Sequence, residues 1–239
     1  CCQCYPLLRM ASSFIDDLEP AMSNTLHIGF LLFPHVTQLD LTGPAQVLGR
    51  MPGAQVHLVW KTRDPVPTDV GFTINPTATF ADCPPLDVLC VPGGFGIERL
   101  FGDDDTLAFL RRQGAQARYV TSVCNGSLVL GAAGLLAGYR SACHWMWLPF
   151  LERFGAVPVA ERIVRDRNRI SGGGVTAGID FGLALAAELA GEDVARTIQL
   201  ALEYDPQPPF DSGCTAKATT ETLVRARALL AAAPLETTS

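Results

Sequence analysis

Short apolar runs alternate along this chain with longer stretches in which apolar positions recur every three or four residues. Leu26–Phe33 (LHIGFLLF) is almost wholly apolar and stops at Pro34, the pattern of a strand buried on both faces. Gln55–Lys61 (QVHLVWK) alternates and predicts a second strand. Leu86–Val91 (LDVLCV) predicts a third, running into Pro92-Gly93-Gly94, and Arg118–Val123 (RYVTSV) a fourth, running into Cys124. Helices are predicted over Pro44–Met51, Thr106–Gln116 and Gly126–Leu136, then over Trp147–Phe154, Thr176–Ala190 and Glu192–Tyr204. Pro44 is read as a first-turn residue, where its missing N–H costs nothing. Asp166-Arg167-Asn168, inside Ile163–Ile170, predicts a hairpin turn between two short strands. Strands alternating with helices imply βαβ units and a mostly parallel α/β sheet with helices on both sides.

Residues 1–24 show no sustained period and read as an extension, with Met22 a candidate native start. Residues 25–214 hold the α/β domain. Residues 215–239 read as a C-terminal tail, with a last helix possible over 219–233. At 239 residues the chain can close one full core. Its 48% hydrophobic and 18% charged residues are a globular balance. A net charge of −6, a pI near 5.2 and no cluster of Lys and Arg argue against a nucleic-acid partner. No apolar run reaches the roughly 18 residues of a membrane span, and no secretory signal is visible. Eight cysteines in a chain of this size and type predict free thiols in a cytoplasm rather than a disulfide framework. Cys1, Cys2 and Cys4 lack the second ligand pair that a zinc site needs.

Chemistry in an open α/β sheet belongs at the carboxyl ends of the strands. Cys124 stands there, between the fourth strand and a helix start. A sharp turn would raise its side chain above the sheet, with helix N–H groups and the helix dipole favouring the thiolate. Gly126 permits the tight path that glycines provide around a nucleophile elbow. A buried core thiol is the competing reading. Gly93 and Gly94 end the neighbouring strand, where their N–H groups could form part of an oxyanion hole, with the Asn125 N–H as a further donor. Asp40, between Leu39 and Leu41 ahead of a helix, is either a helix cap or a carboxyl kept protonated by apolar surroundings, able to bond sulfur and deliver a proton. His144 is a structural or supporting candidate. Ser171-Gly172-Gly173-Gly174 lacks the Lys of a phosphate loop and reads as a tight turn.

Four segments carry a resemblance: Ile28–Pro34, Gln38–Pro44, Val91–Gly94 and Tyr119–Cys124. They resemble the ThiJ/PfpI superfamily, and LVLGAAGLL (128–136), His144-Trp145, GGGVTAGID (172–180) and QLALEYDPQPPF (199–210) are similar to its isonitrile-hydrating branch. The resemblance spans about residues 26–214. It implies a flavodoxin-like fold and a homodimer that converts R–N≡C to an N-substituted formamide, using water and no metal or organic cofactor. It also implies Cys124 as nucleophile and Asp40 as the carboxyl beside it. Where that branch usually has threonine after the cysteine, this chain has Asn125, which implies a working but slower enzyme. The same thiol and carboxyl would also serve a glyoxalase or deglycase acting on α-oxoaldehydes, and an exposed reactive thiol would serve a redox sensor or chaperone. A transcription regulator with this fold would need a helix-turn-helix segment, for which nothing is visible after Phe210.

Overall fold

The computed structural model describes residues 25–232. In chain order the elements are β1 (Leu26–Leu31), α1 (Gln38–Leu48), β2 (Ala54–Trp60), β3 (Val66–Pro67), β4 (Thr73–Ile74) and β5 (Ala78–Thr79). Next come β6 (Val88–Val91), α2 (Ile97–Leu100), α3 (Asp104–Gln116), β7 (Tyr119–Val123), α4 (Gly126–Ala132) and β8 (Arg140–Ser141). A 3₁₀ turn (Leu148–Phe154), β9 (Val157–Pro158), β10 (Ile163–Asp166), β11 (Arg169–Gly172), α5 (Ala177–Ala190), α6 (Glu192–Ala201) and α7 (Thr220–Ala231) complete the described chain.

The central sheet has seven strands in the order β10-β11-β7-β6-β1-β2-β5. Every pairing is parallel except the β10–β11 hairpin, whose turn falls at the predicted position. β6 and β7 are buried at every residue, because helices cover both faces. From β1 the chain moves outward to β2 and β5, then returns across β1 to β6, β7 and β11. The order therefore reverses between β1 and β6, and ligand sites gather at such a switch point. Among the described residues no helix is long and apolar enough to cross a membrane.

The four predicted strands form within a few residues of their expected ends. α1 differs more. It starts at Gln38, so Pro44 lies inside it rather than in its first turn. Its ring faces α5, where a Cβ on Gly178 would come 2.9 Å from Pro44 Cδ. Trp147–Phe154 is a 3₁₀ turn rather than an α-helix, closed by Gly155 in the left-handed region. α4 stops at Ala132, followed by Gly134 at φ 78°, and α6 stops at Ala201. The pairs β3–β4 and β8–β9 and the edge strand β5 are too short for hydrophobic period to reveal. After Tyr204 the chain runs exposed through residues 205–217 and returns as α7.

Candidate active site

Three adjacent strands, β7, β6 and β1, deliver Cys124, Gly93 and Asp40 to one point. Cys124 adopts φ 58°, a conformation that a non-glycine residue holds only where its surroundings enforce it. Its N–H donates to Gly172 O at 3.1 Å, tying the elbow to β11, and its C=O accepts from Ser127 Oγ at 3.2 Å. Gly126 makes the turn possible, since a Cβ there would be driven into the carbonyls of Val91 and Pro92. The predicted elbow is present.

Asp40 sits in the first turn of α1 and is completely buried, as Cys124 and Asn125 nearly are. Its Oδ2 accepts from Gly93 N–H at 3.0 Å, while Oδ1 has no partner of normal hydrogen-bond geometry. Burial pushes the carboxyl up to about 8, against a smaller lowering by the Cys124 thiol and the Gly93 N–H, with nearby Asp69 adding to the rise. Burial beside the Cys124 thiol thus favours the neutral carboxyl. Asp69 was not singled out by sequence. It accepts from Thr37 Oγ1 at 2.8 Å and Gln38 N–H at 3.4 Å, anchoring the start of the helix that carries Asp40.

Two electrostatic expectations are corrected. The helix dipole does not leave Cys124 as a ready thiolate: burial first, then Asp40 and Cys143, hold its proton well above the ordinary thiol range, and the Asn125 N–H only partly offsets this. Nor are the glycine N–H groups free for an oxyanion. Gly93 N–H is spent on Asp40, and Gly94 N–H donates to Asn125 Oδ1 at 2.8 Å. Asn125 Nδ2 donates in return to Gly94 O at 3.3 Å, so its amide clamps the loop after β6 to the elbow. A Cβ on Gly93 would strike Asn125 Oδ1 and lie 2.7 Å from Asp40 Oδ2, so only glycine fits between the two side chains.

His144 borders the sulfur cleft. Its Nδ1 accepts from Met146 N–H at 3.3 Å, and burial lowers the ring to about 4, so it is neutral at physiological pH. The narrow space over Cys124 measures about 40 Å³ and is shared by Thr37, Trp147, Val175 and Leu230. It opens past Phe95 and Met146 into a cleft of about 210 Å³. Sequence reasoning missed Thr37, Phe95, Trp147 and Leu230. Leu230 lies in α7, far along the chain, and no local pattern links it to the elbow. Gly172–Gly174, read as a tight turn, ends β11 and brings Gly172 O to the Cys124 N–H.

Residues 27–188 match the DJ-1/PfpI family, and the chain belongs to it. A protein of Pseudomonas putida named isonitrile hydratase is 62% identical over 79% of this chain and 82% of its own length. A crystal structure of a ThiJ/PfpI family protein from Pseudomonas syringae is 46% identical and superposes with a TM-score of 0.85, covering 90% of this chain and 92% of that one. The helix-turn-helix-type transcriptional regulator GbdR of Pseudomonas aeruginosa is 30% identical over 81% of this chain, which spans only 55% of the regulator.

Proposed function

We propose that this protein hydrates isonitriles, R–N≡C, to N-substituted formamides, with Cys124 as nucleophile and Asp40 as the proton carrier. The observation that supports it most directly is the Cys124–Asp40 pair, buried together beneath the small space that Cys124 lines. The 62% identity to a protein named isonitrile hydratase points the same way.

The chemistry balances within the pair. In the form of the pair that holds one proton, the Cys124 thiolate bonds to the terminal isonitrile carbon, and the carbanion that forms takes the Asp40 proton, leaving the thioimidate R–N=CH–S–Cys124. Asp40, now a carboxylate, takes a proton from an incoming water as the water oxygen bonds to that carbon, and hands that proton on to the nitrogen. Collapse breaks the C–S bond, releases R–NH–CHO and returns the proton to the pair. Negative charge develops on carbon and is quenched by a proton, so no oxyanion donor is required. The commitment of the Gly93 and Gly94 N–H groups to side chains fits that demand better than it fits acyl transfer.

A homodimer in a reducing, cytoplasmic setting belongs to the same reading. Cys83, Cys90, Cys124, Cys143 and Cys214 carry free thiols, and exposed Leu200 and Phe210 offer apolar surface for a partner subunit. The test is formamide production from phenyl isonitrile, followed by NMR, beside lactate production from methylglyoxal. The intact protein should make the formamide and Cys124→Ser should lose nearly all of it. A serine variant keeping more than about a tenth of the rate, within about 1.4 kcal/mol of barrier, would overturn the covalent route.

A further inference from the structure

We infer that the C-terminal helix α7 is the outer wall of the substrate cleft and that Leu230 selects the size of the isonitrile's R group. The inference rests on the hydration reading for its kinetic arm and stands apart from it for its binding arm.

The cleft has two parts. Over the sulfur it is small, about 40 Å³, against about 150 Å³ for an apolar cavity that holds benzene. Farther out it widens to about 210 Å³. An apolar cavity of about 150 Å³ is enough for benzene, so the outer part has room for a six-membered ring. Gly94, Phe95, Asn125, Trp147 and Leu230 line both parts, so the two are continuous. Phe95, Met146, Trp147 and Leu230 make the wall mainly apolar, and the exposed carboxylate of Glu98 stands at the rim. The chemistry recognised is a monocyclic aryl or cycloalkyl isonitrile.

Leu230 is the part of this wall that can vary independently. α7 has no fully buried residue, and Val224 and Leu229 face solvent. It rests on the body through its half-buried positions Leu223, Ala226 and Leu230, with the Arg227 guanidinium 5.6 Å from the Trp145 ring centre. Residues 205–217, which lead to it, are exposed throughout. Leu230 thus borders Cys124's space without belonging to the core that folds the domain.

The experiment uses the full chain and two opposite substitutions. Leu230→Trp should lower the ratio of kcat/KM for phenyl isonitrile to that for methyl isonitrile at least tenfold. Leu230→Ala should raise the ratio for 2-naphthyl over phenyl isonitrile at least fivefold. Unchanged ratios in both variants would overturn the proposal. If the intact protein yields no formamide, the hydration reading has failed by itself. Calorimetric binding of phenyl isonitrile to Cys124→Ser then decides: tenfold weakening on adding Leu230→Trp supports the wall, and equal binding overturns it.

Discussion

Replacing Asp40 by Asn should slow the enzyme and stabilise the fold, and the second effect should depend on pH in a way that only a buried, protonated carboxyl explains. In the folded protein the carboxyl is raised from 3.8 to about 8, chiefly by burial. A group whose folded pKa is raised binds more protons in the folded state between those values, so its contribution to stability falls as pH rises from about 4 to 8. At about 1.36 kcal/mol per unit, the ceiling of that cost at pH 7 is about 4 kcal/mol. Asparagine never ionises and escapes it, but its new NH₂ group needs a partner where Asp40 Oδ1 has none, at a cost of about 1–3 kcal/mol. The net gain at pH 7 is therefore about 1–3 kcal/mol, or roughly 2–12 °C in Tm for a domain of this size. Thermal unfolding of both proteins from pH 4 to pH 8 measures it. The Tm difference should widen steadily as pH rises, while kcat falls on the order of 10²–10⁴-fold at every pH. A Tm difference that stays constant across that range would refute the reasoning, and a near-normal rate would reduce Asp40 to a helix-terminus residue.

The remaining predictions come from the same geometry. Because the reactive form holds one proton on the Cys124–Asp40 pair, kcat/KM should rise about tenfold per pH unit below about 8 and level off above it. A flat profile from pH 6 to pH 8 would contradict that assignment. Asn125→Ala strands the buried N–H and C=O of Gly94 and should cost about 1–3 kcal/mol in urea unfolding, beyond any effect on rate. Asn125→Thr should suffer a similar loss of stability, since a threonine hydroxyl cannot reach both groups of Gly94 at once. At the other end of the sheet, His27 Nδ1 and His57 Nε2 lie 2.9 Å apart, and burial followed by His27 lowers the His57 pKa. A lowered folded pKa means stability is lost as pH falls below about 6.5, so His57→Gln should flatten the Tm profile between pH 5 and pH 7.

What the chain determines locally, it states clearly. Alternation of short apolar runs with helical periods specified a parallel sheet, because strands buried on both faces must be continuously apolar. The succession Val123-Cys124-Asn125-Gly126 specified an elbow, since only glycine clears the Val91 and Pro92 carbonyls behind it. Asp40 between two leucines specified a carboxyl short of water. Nothing local could assign the Gly93 and Gly94 N–H groups, because their acceptors, Asp40 and Asn125, arrive from the start of α1 and from the elbow after β7. The Cys124 proton was misjudged for the same reason. A helix dipole is visible in sequence, whereas complete burial beside a second acid is a property of the assembled site, and in a dry interior burial dominates. Leu230 is the extreme case: a helix that looks like a tail becomes a wall of the cleft, because an exposed connection leaves its final position to tertiary contact with Trp145.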